Sequence, residues 1–521
     1  MAFCLFSSFP MCSFPIHSKL KSFSYNGSSF RRLAVFSASR SADTNKTSIE
    51  DDSKIRRSAN YHLPIWDYDY VQSLRDGFVQ DESYNERASN LQEEVRMMLG
   101  NMVDSLEKLE LIDTLQRLGL SHHFEAEINK TLKNISTDRI GTAAWKKDNL
   151  YATALEFKLL RQHGYKVDQD VFTCFMDDVG NIKSSLNQDF KGLLNLYEAS
   201  YLLLEGETML ENARELAAKL LKQYLKENND DQYLRMLVDH AFELPLHWRL
   251  PRLEARWFID VYEKNKDKNP IILELAILDY NIVQSMHLED FRYASTWWKE
   301  LGLGEKLGFA RDRIMSNFLW SVGMVITPQD TKSRRIQTKW TDLCKAYLLE
   351  AKWYYSGYTP TLKEYLDNAW ISITGHVMLA HTYLATHHIT EEGLRNFQEY
   401  YPDIIYHANI LVRLANDLGT SSYELKRGDV PKSIQCYMYE SGASEEEAHE
   451  HIWKLIDAEW KKINEDQMAK SPFSRKFIEM AISHARVSLM IYQKDDGFGI
   501  EDNEIMDKVL SLFVHPIILP K

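Results

Sequence analysis

The sequence lacks the patterns of several common protein classes. Its 521 residues include only five cysteines, at Cys4, Cys12, Cys174, Cys344 and Cys436, and none of them form a CxxC pair or a zinc spacing. This scarcity indicates a reducing compartment. No apolar run approaches the about eighteen residues that a membrane helix needs, so we expect no membrane span. HExxH, GxSxG and P-loop motifs are also absent from the sequence.

Basic charge is in short supply as well. Lys and Arg total 62 against 75 Asp and Glu, which gives a net charge of −13. Nucleic-acid binding needs a basic face, so we expect no nucleic-acid partner. An acidic chain can still bind a polyanionic small molecule where cationic side chains or metal ions gather locally. Aromatic residues make up 12% of the chain, enough to fill a large core or to line a large apolar pocket.

Acidic residues are missing from positions 1–42. This stretch carries five basic residues among many serines. A basic, Ser-rich and acid-free composition is typical of an organelle transit peptide. The alternative is a secretory signal, which fits less well because prolines interrupt the apolar start and the basic residues follow it. We therefore predict a transit peptide and linker over residues 1–50.

Beyond residue 55 the apolar residues recur mostly with the period of an α-helix. Leu91, Val95 and Met98, for example, fall on one helical face, and runs of alternating β-branched residues are absent. The sequence therefore predicts an all-α protein. The polar stretch 264–270 interrupts the pattern, and its last residue, Pro270, is well placed to open the next helix.

This polar stretch predicts a domain boundary. We expect an N-terminal helical domain over residues 51–266 and a C-terminal domain over residues 267–521.

Three oxygen-bearing side chains have a spacing that suits a metal site. Asn416, Thr420 and Glu424 lie four residues apart, so a helix would carry them on one face with a drift of about 40° per step. Amide, hydroxyl and carboxylate oxygens are hard ligands that Mg²⁺ accepts. The spacing is weak evidence alone, because a polar outer helix face capped by Gly428 would show the same pattern.

Cationic residues accompany this triplet. Arg311 and Arg313 precede Trp320, Arg413 lies three residues before the triplet, and Lys432 follows it at a helix start where an anion can be held. Guanidinium groups match phosphate oxygens. Each residue alone is equally consistent with a surface ion pair, but together they indicate a metal-assisted diphosphate pocket beside aromatic rings.

These strings together resemble the plant terpene synthase family, in its angiosperm monoterpene synthase branch. Arg56 and Arg57, shortly before Trp66, are similar to that branch's tandem-arginine motif. The segment around Arg311 is similar to the family's RxR region, and the string that begins at Asn416 is similar to its second metal motif. The resemblance covers almost all of the chain beyond the leader.

The resemblance implies a fold and a reaction. The fold is an N-terminal α/α barrel-like helical domain followed by a C-terminal class I terpenoid synthase bundle. The reaction is the conversion of geranyl diphosphate to a volatile monoterpene in the plastid, by cleavage of a carbon–oxygen bond and rearrangement of the carbocation. The implied cofactor is Mg²⁺, with Mn²⁺ as an alternative, and the implied state is a monomer.

The resemblance also implies a role for each candidate residue. One set binds the metal ion, a second binds the diphosphate, an aromatic ring stabilises the carbocation and thereby assists catalysis, and an N-terminal arm caps the site. The implied metal ligands are Asn416, Thr420 and Glu424, and the implied diphosphate ligands are Arg311, Arg313, Arg413 and Lys432. The implied catalytic ring is Trp320, and the implied N-terminal arm contains Arg56, Arg57 and Trp66.

One family motif is missing. The family carries an aspartate-rich DDxxD motif between the RxR region and the second metal motif, yet no Asp-Asp pair lies between Arg313 and Asn416. That interval is shorter than the family pattern by roughly 80 residues, or several helices. The sequence up to Lys339 resembles the family just before DDxxD, and the sequence from Trp340 resembles a region several helices later. We therefore predict a deletion joint at Lys339/Trp340 and a shortened C-terminal bundle.

The missing motif leaves two functions open. The chain is either a monoterpene synthase with one metal wall missing or compensated, or a catalytically impaired or inactive product of a terpene synthase gene. The second class includes a splice isoform, a decayed paralogue and an incorrect gene model. A smaller departure is His376, where the family usually has a proline after the glycine at a helix break. It predicts an altered geometry of that break.

Overall fold

A computed structural model describes most of the chain beyond the predicted leader. The described ranges are 66–74, 82–137, 148–227, 231–302, 314–324, 337–386, 389–399, 401–499 and 503–519. Within these ranges the regular structure is helical, and the only β-type pairing is an isolated bridge between Met176 and Ile182. The predicted all-α fold class is confirmed.

The described residues as far as 302 form ten α-helices joined by loops and short 3₁₀ turns. They are α1 (Tyr68–Ser73), α2 (Glu82–Asn101), α3 (Ser105–Arg117), α4 (Glu125–Thr137), α5 (Leu150–Gln162), α6 (Phe190–Ser200), α7 (Thr208–Lys226), α8 (Gln232–Glu243), α9 (Pro251–Glu263) and α10 (Pro270–Leu301).

The described residues from 314 onward form ten more. They are α11 (Ile314–Met324), α12 (Gln337–Ser356), α13 (Leu362–Ser372), α14 (Gly375–Ala385), α15 (Glu391–Glu399), α16 (Asp403–Arg427), α17 (Ser433–Ser441), α18 (Glu445–Met468), α19 (Arg475–Ile491) and α20 (Asn503–Phe513).

Helix α10 connects the two halves of the chain. Pro270 opens it, as the sequence predicts, and the Asn269 side chain caps it by accepting from the backbone N–H groups of Ile271 and Ile272. The helix is long and apolar enough to cross a membrane, but 67% of its most apolar window is buried inside the protein. That burial is typical of a core helix.

The buried apolar side chains fall into two clusters. One is built from α2 to α9, the first turns of α10 and Ile517. The other is built from α11 to α20 together with Trp66, Val71, Trp248, Leu250 and Phe291. Contacts between the halves include the parallel rings of Trp248 and Trp460, whose centroids are 5.5 Å apart. Asn464 of α18 adds hydrogen bonds from its amide to the carbonyls of Tyr201 and Leu203, both at 3.0 Å. Apolar packing and buried polar contacts therefore join α18 to the N-terminal half.

The helix break that the sequence predicts lies between α13 and α14. Thr374 occupies it with φ at +79°, in the left-handed region that is costly for a β-branched residue. His376 follows in place of the family's proline, and its Nε2 donates to the backbone oxygen of Lys339 at 3.2 Å. The break therefore persists without proline, and His376 ties α14 to α12.

Candidate metal centre

The predicted oxygen triplet lies on the buried side of α16. Asn416, Thr420 and Glu424 expose only 1%, 3% and 8% of their surface. The helix ends at Gly428, whose φ of +70° is the left-handed geometry of a glycine cap. Because all three side chains face the interior, the alternative of a solvated outer helix face does not apply here.

Neighbouring groups hold the triplet. The Thr420 hydroxyl donates to the Asn416 backbone oxygen at 2.8 Å, and Asn416 Oδ1 accepts from Arg413 at 3.2 Å. Glu424 Oε2 lies 3.9 Å from the ammonium of Lys432. The structure therefore brings together five of the predicted site residues, the three predicted metal ligands and two cations.

The environment of Glu424 opposes its charge. Burial raises the pKa of Glu424, and Lys432 only partly offsets this effect. For Lys432, burial lowers the pKa, but Glu424, Glu350 and Asp429 together outweigh it and the net shift is upward. A second cation near this carboxylate would favour its ionised, metal-binding form.

Arg413 is more fully bonded to the protein than its predicted role suggests. Its Nε donates to the Ala369 carbonyl at 3.1 Å, Nη1 to Asn416 at 3.2 Å and Asp417 at 3.4 Å, and Nη2 to the Ser372 hydroxyl at 3.0 Å. These bonds occupy four of the five guanidinium N–H groups. Arg413 therefore fastens α16 to α13, and its diphosphate-binding role stays a prediction.

Asp417 is a buried site residue that sequence reasoning missed. Its carboxylate is wholly buried and accepts from the Tyr365 hydroxyl at 2.9 Å and the Ser433 backbone N–H at 3.1 Å. It joins α16 to α13 and α17. In the sequence, only its position directly after Asn416 could have indicated its role. Its partners Tyr365 and Ser433 lie 52 and 16 residues from Asp417 along the chain.

The predicted aromatic residue is also in the interior. Trp320 of α11 is buried, and its ring centroid lies 6.2 Å from that of Tyr492 and 6.1 Å from that of Phe498. Its indole N–H donates to His484 of α19, a partner that the sequence did not indicate.

The other predicted residues divide into two groups. Trp66 is buried in the C-terminal cluster together with Met315 and Leu319. This places the start of the described chain against α11. The arginines of the tandem motif and of the RxR region, Arg56, Arg57, Arg311 and Arg313, lie outside the described residues.

The predicted deletion joint falls inside a continuous helix. Lys339 and Trp340 are both in the first turns of α12. The Lys339 side chain is buried, and its ammonium lies 3.5 Å from the centroid of the Tyr401 ring. Asp342, the next carboxylate along α12, accepts from the Tyr401 hydroxyl at 2.6 Å. Residues 337–339 before the joint and 340–356 after it therefore form one helix.

The donor set at α16 fits a divalent cation. It offers an amide oxygen, a hydroxyl and a carboxylate on adjacent turns, which are hard ligands of the kind that such ions prefer. Flanking cations can then balance an anionic ligand on the metal. A helical fold in the described residues together with such a donor set is typical of the class of helical metal-dependent enzymes.

Comparison with known proteins identifies the family to which the chain belongs. The chain belongs to the terpene synthase family, as predicted. Residues 65–242 match the model for the terpene synthase N-terminal domain, and residues 281–462 match that for the metal-binding C-terminal domain of terpene synthase family 2. The structure resembles isoprene synthase from grey poplar in complex with three Mg²⁺ ions and dimethylallyl-S-thiolodiphosphate. The TM-score is 0.76 at 36% identity, and the match covers 87% of this chain and 99% of that one.

Two curated relatives are similar over most of their length. A (−)-α-terpineol synthase of Vitis vinifera is 49% identical over 540 aligned positions, which cover 89% of this chain and 91% of the relative. A chloroplastic myrcene synthase of Quercus ilex is 45% identical over 606 positions, which cover 100% of both.

Proposed function

We propose that this chain is a monoterpene synthase that ionises geranyl diphosphate with Mg²⁺, or alternatively Mn²⁺, in the plastid. The observation that carries the proposal is the buried triplet of Asn416, Thr420 and Glu424, with Lys432 beside the carboxylate. The names of the terpineol and myrcene synthases support a ten-carbon substrate, and the Mg²⁺-bound isoprene synthase supports the choice of metal. The family match supports a carbon–oxygen lyase that acts on a prenyl diphosphate.

The chain's own residues would prepare the substrate for ionisation. The triplet would hold the metal ion, which supplies Lewis-acid pull on the leaving diphosphate. Lys432 would neutralise part of the charge that develops there. The buried Trp320 ring would stabilise the carbocation through its π face without acting as a nucleophile.

The organisation of the chain is part of the proposal. We assign residues 1–50 to a transit peptide and linker, 51–266 to the N-terminal domain and 267–521 to the C-terminal domain of a monomer. The two apolar clusters support a division into two helical units, although the first turns of α10, as far as Tyr280, pack with the N-terminal cluster. The chloroplastic name of the Quercus ilex relative supports plastid import.

A specific observation favours the second candidate, a catalytically impaired product of a terpene synthase gene. The alignment with the Quercus ilex relative runs over 606 positions and includes all of this chain, which has 521 residues. About 85 of those positions therefore have no residue of this chain opposite them. That number agrees with the length of the deletion that the sequence predicts, which at Lys339/Trp340 would remove the DDxxD wall of the metal site.

A product assay on the protein from about Asp51 onward tests the proposal. Circular dichroism first establishes that the protein is folded. Geranyl diphosphate and Mg²⁺ are then supplied, with farnesyl diphosphate in parallel, and volatiles are analysed by gas chromatography–mass spectrometry. A Mg²⁺-dependent monoterpene above the boiled control is the expected result. A folded protein that gives no volatile would overturn the proposal and favour the second candidate, a catalytically impaired chain.

Matched variants separate the metal site from general effects. Glu424→Gln removes the buried carboxylate and should lower both Mg²⁺ affinity and turnover by about 100-fold or more. Glu445→Gln, whose side chain is 63% exposed on α18, should change neither. Amplification of the transcript across the Lys339/Trp340 codons tests the origin of the joint. A single short product would exclude a gene-model error, and mixed lengths would indicate splicing.

A further inference from the structure

Two adjacent histidines and a buried carboxylate converge in the N-terminal half, on elements that the α16 site does not use. His122 and His123 lie on the 3₁₀ turn Ser121–His123, and Asp279 lies on α10. Nε2 of His123 is 2.7 Å from Asp279 Oδ1, and Nε2 of His122 is 3.6 Å from the same oxygen. The three ligand atoms all lie within 4.8 Å of one another.

Convergence of neighbouring side chains on a 3₁₀ turn is unusual. With three residues per turn, adjacent side chains point about 120° apart. Here the two imidazole centroids are only 3.8 Å apart, with a tilt of 41° between the rings. Both rings therefore turn toward Asp279, and each exposes about a quarter of its side chain, 25% for His122 and 23% for His123. The cluster is accessible to an ion from solvent.

The hydrogen bonding of His122 prepares it as a ligand. Its Nδ1 donates to the Gly119 carbonyl at 3.0 Å, which leaves the Nε2 lone pair facing the carboxylate. A backbone bond at the far nitrogen is the usual support for a metal-binding imidazole.

The carboxylate and a nearby amide complete the surroundings. Asp279 is 6% exposed, and its Oδ2 has no hydrogen-bond partner among the described residues. Arg252 Nη1 lies 3.5 Å from this oxygen and would weaken cation binding through its charge. The Gln92 amide nitrogen is 3.5 Å from His123 Nε2, and rotation of the amide by 180° would offer an oxygen there instead.

We propose that His122, His123 and Asp279 bind a transition-metal ion of the Zn²⁺ type. Zinc–nitrogen and zinc–oxygen bonds of about 2.0–2.2 Å place tetrahedral ligand atoms roughly 3.3 Å apart. The 3.6 Å separation at His122 is close to this value, whereas the 2.7 Å contact at His123 must open by about half an ångström as the metal replaces the bridging proton. His123 would then carry its proton on Nδ1. Water or the Gln92 amide would fill the fourth position.

The chemistry of this cluster differs from that of the α16 triplet. Two imidazole nitrogens and one carboxylate suit zinc-like ions, whereas the all-oxygen triplet suits Mg²⁺. Because the cluster joins the 121–123 turn to α10, a bound ion would fasten a surface turn to the helix that connects the two halves of the chain. The proposed role is structural.

Zinc titration of the whole chain tests the proposal. The protein is stripped with a chelator and kept in excess Mg²⁺ so that the α16 site is occupied, and isothermal titration calorimetry then counts the Zn²⁺ equivalents bound. His122→Phe keeps a ring in the stack but removes its nitrogens. We expect it to lose one equivalent, or at least about 10-fold in affinity.

His163 provides the matched control. Its Nδ1 lies 2.8 Å from the Leu159 carbonyl and its Nε2 lies 3.4 Å from the Gln116 amide, but no carboxylate or second histidine of the described ranges bonds to it. His163→Phe should therefore bind zinc as the unsubstituted chain does. Equal zinc binding by the unsubstituted chain and His122→Phe would overturn the proposal.

A spectroscopic measurement covers the case in which His122→Phe does not fold. Co²⁺ in a tetrahedral nitrogen and oxygen site gives visible absorption bands, which the unsubstituted chain should show after one equivalent and lose on addition of Zn²⁺. Absence of these bands would also overturn the proposal.

Discussion

Trp320 donates its indole N–H to Nδ1 of His484 across 2.9 Å, between α11 and α19. His484 is wholly buried, and burial lowers its pKa to about 3. The ring is therefore neutral at physiological pH, and its Nδ1 must be unprotonated to accept this bond. The bond fixes the indole without placing a positive charge beside the ring that we propose stabilises a carbocation.

His484→Leu should destabilise the protein by about 1–3 kcal/mol, because it leaves the buried Trp320 N–H without an acceptor. Urea unfolding followed by circular dichroism measures the change. In a Trp320→Phe background, which has no N–H, the same substitution should cost less, and the difference isolates the hydrogen bond. Equal costs in both backgrounds would mean that His484 acts only through its packing.

Buried histidines predict a loss of stability in mild acid. Burial lowers the pKa of each well below the ordinary value of 6.5, so between the two values the unfolded chain binds a proton that the folded chain does not. Stability is therefore complete above pH 6.5 and falls as the pH drops below it. The residues and their lowered pKa values are His247, His287 and His484 at about 3, and His376 at about 4.

His484→Leu isolates one of these contributions. Between pH 7.5 and 5.5 the variant should lose about 1.4 kcal/mol less stability than the unsubstituted chain. The comparison with the variant is needed because two aspartates have the opposite effect on stability. Burial raises the pKa of Asp290 and Asp466 to about 6, so their protonation stabilises the folded chain as the pH falls below 6.

Gly375 at the start of α14 should not tolerate a side chain. A Cβ there would lie 1.8 Å from Asn409 Oδ1 and 2.3 Å from His484 Nε2, two wholly buried atoms. Gly375→Ala should therefore cost about 1–3 kcal/mol, as overpacking does. Gly100 of α2 has no heavy atom within 4 Å of its Cβ position, and Gly100→Ala should be neutral or stabilise by up to about 1 kcal/mol. Equal unfolding midpoints for the two variants would contradict this prediction.

Glu254 lies at the centre of a buried ionic network in the N-terminal half. Its Oε1 accepts from Arg117 at 2.8 Å, and its Oε2 accepts from Arg249 at 2.8 Å and His240 at 3.1 Å. Burial alone would raise the pKa of Glu254, but Arg249 and Arg117 together hold it well below its ordinary value. Glu254→Gln should cost about 3–5 kcal/mol, because it removes the buried carboxylate charge that Arg117 and Arg249 share.

An exposed ion pair gives the control for Glu254. Lys363 and Asp367 pair at 2.7 Å on α13, with side chains that are 84% and 58% exposed. Asp367→Asn should change the unfolding free energy by less than about 1 kcal/mol. A similar cost for both substitutions would mean that burial of Glu254 does not determine its contribution.

Local sequence predicted the elements whose signal lies within a few turns. Pro270 marked the start of α10, and the four-residue steps from Asn416 through Thr420 to Glu424 marked one face of α16, because helical period and capping chemistry are local. The contacts that decide the site are not local. His484 is 164 residues from Trp320, and the Arg413 side chain bonds to α13, more than 40 residues earlier. Such pairings follow from helix packing, which residue spacing does not encode.

Lys432 should contribute to diphosphate binding as well as to balancing Glu424. The Lys432 ammonium lies 3.9 Å from the buried Glu424 carboxylate. A diphosphate on the bound metal would add negative charge nearby, and Lys432 could form an ion pair with it. In the presence of Mg²⁺, Lys432→Met should weaken binding of inorganic pyrophosphate by about 10- to 100-fold, the loss of one charge-assisted contact. Lys432→Arg should retain most of the affinity, and Lys426→Met, at an exposed position of the same region, should retain all of it. Calorimetric titration measures each value. Unchanged pyrophosphate affinity in Lys432→Met, together with lower stability, would instead make Lys432 only the counter-ion of Glu424.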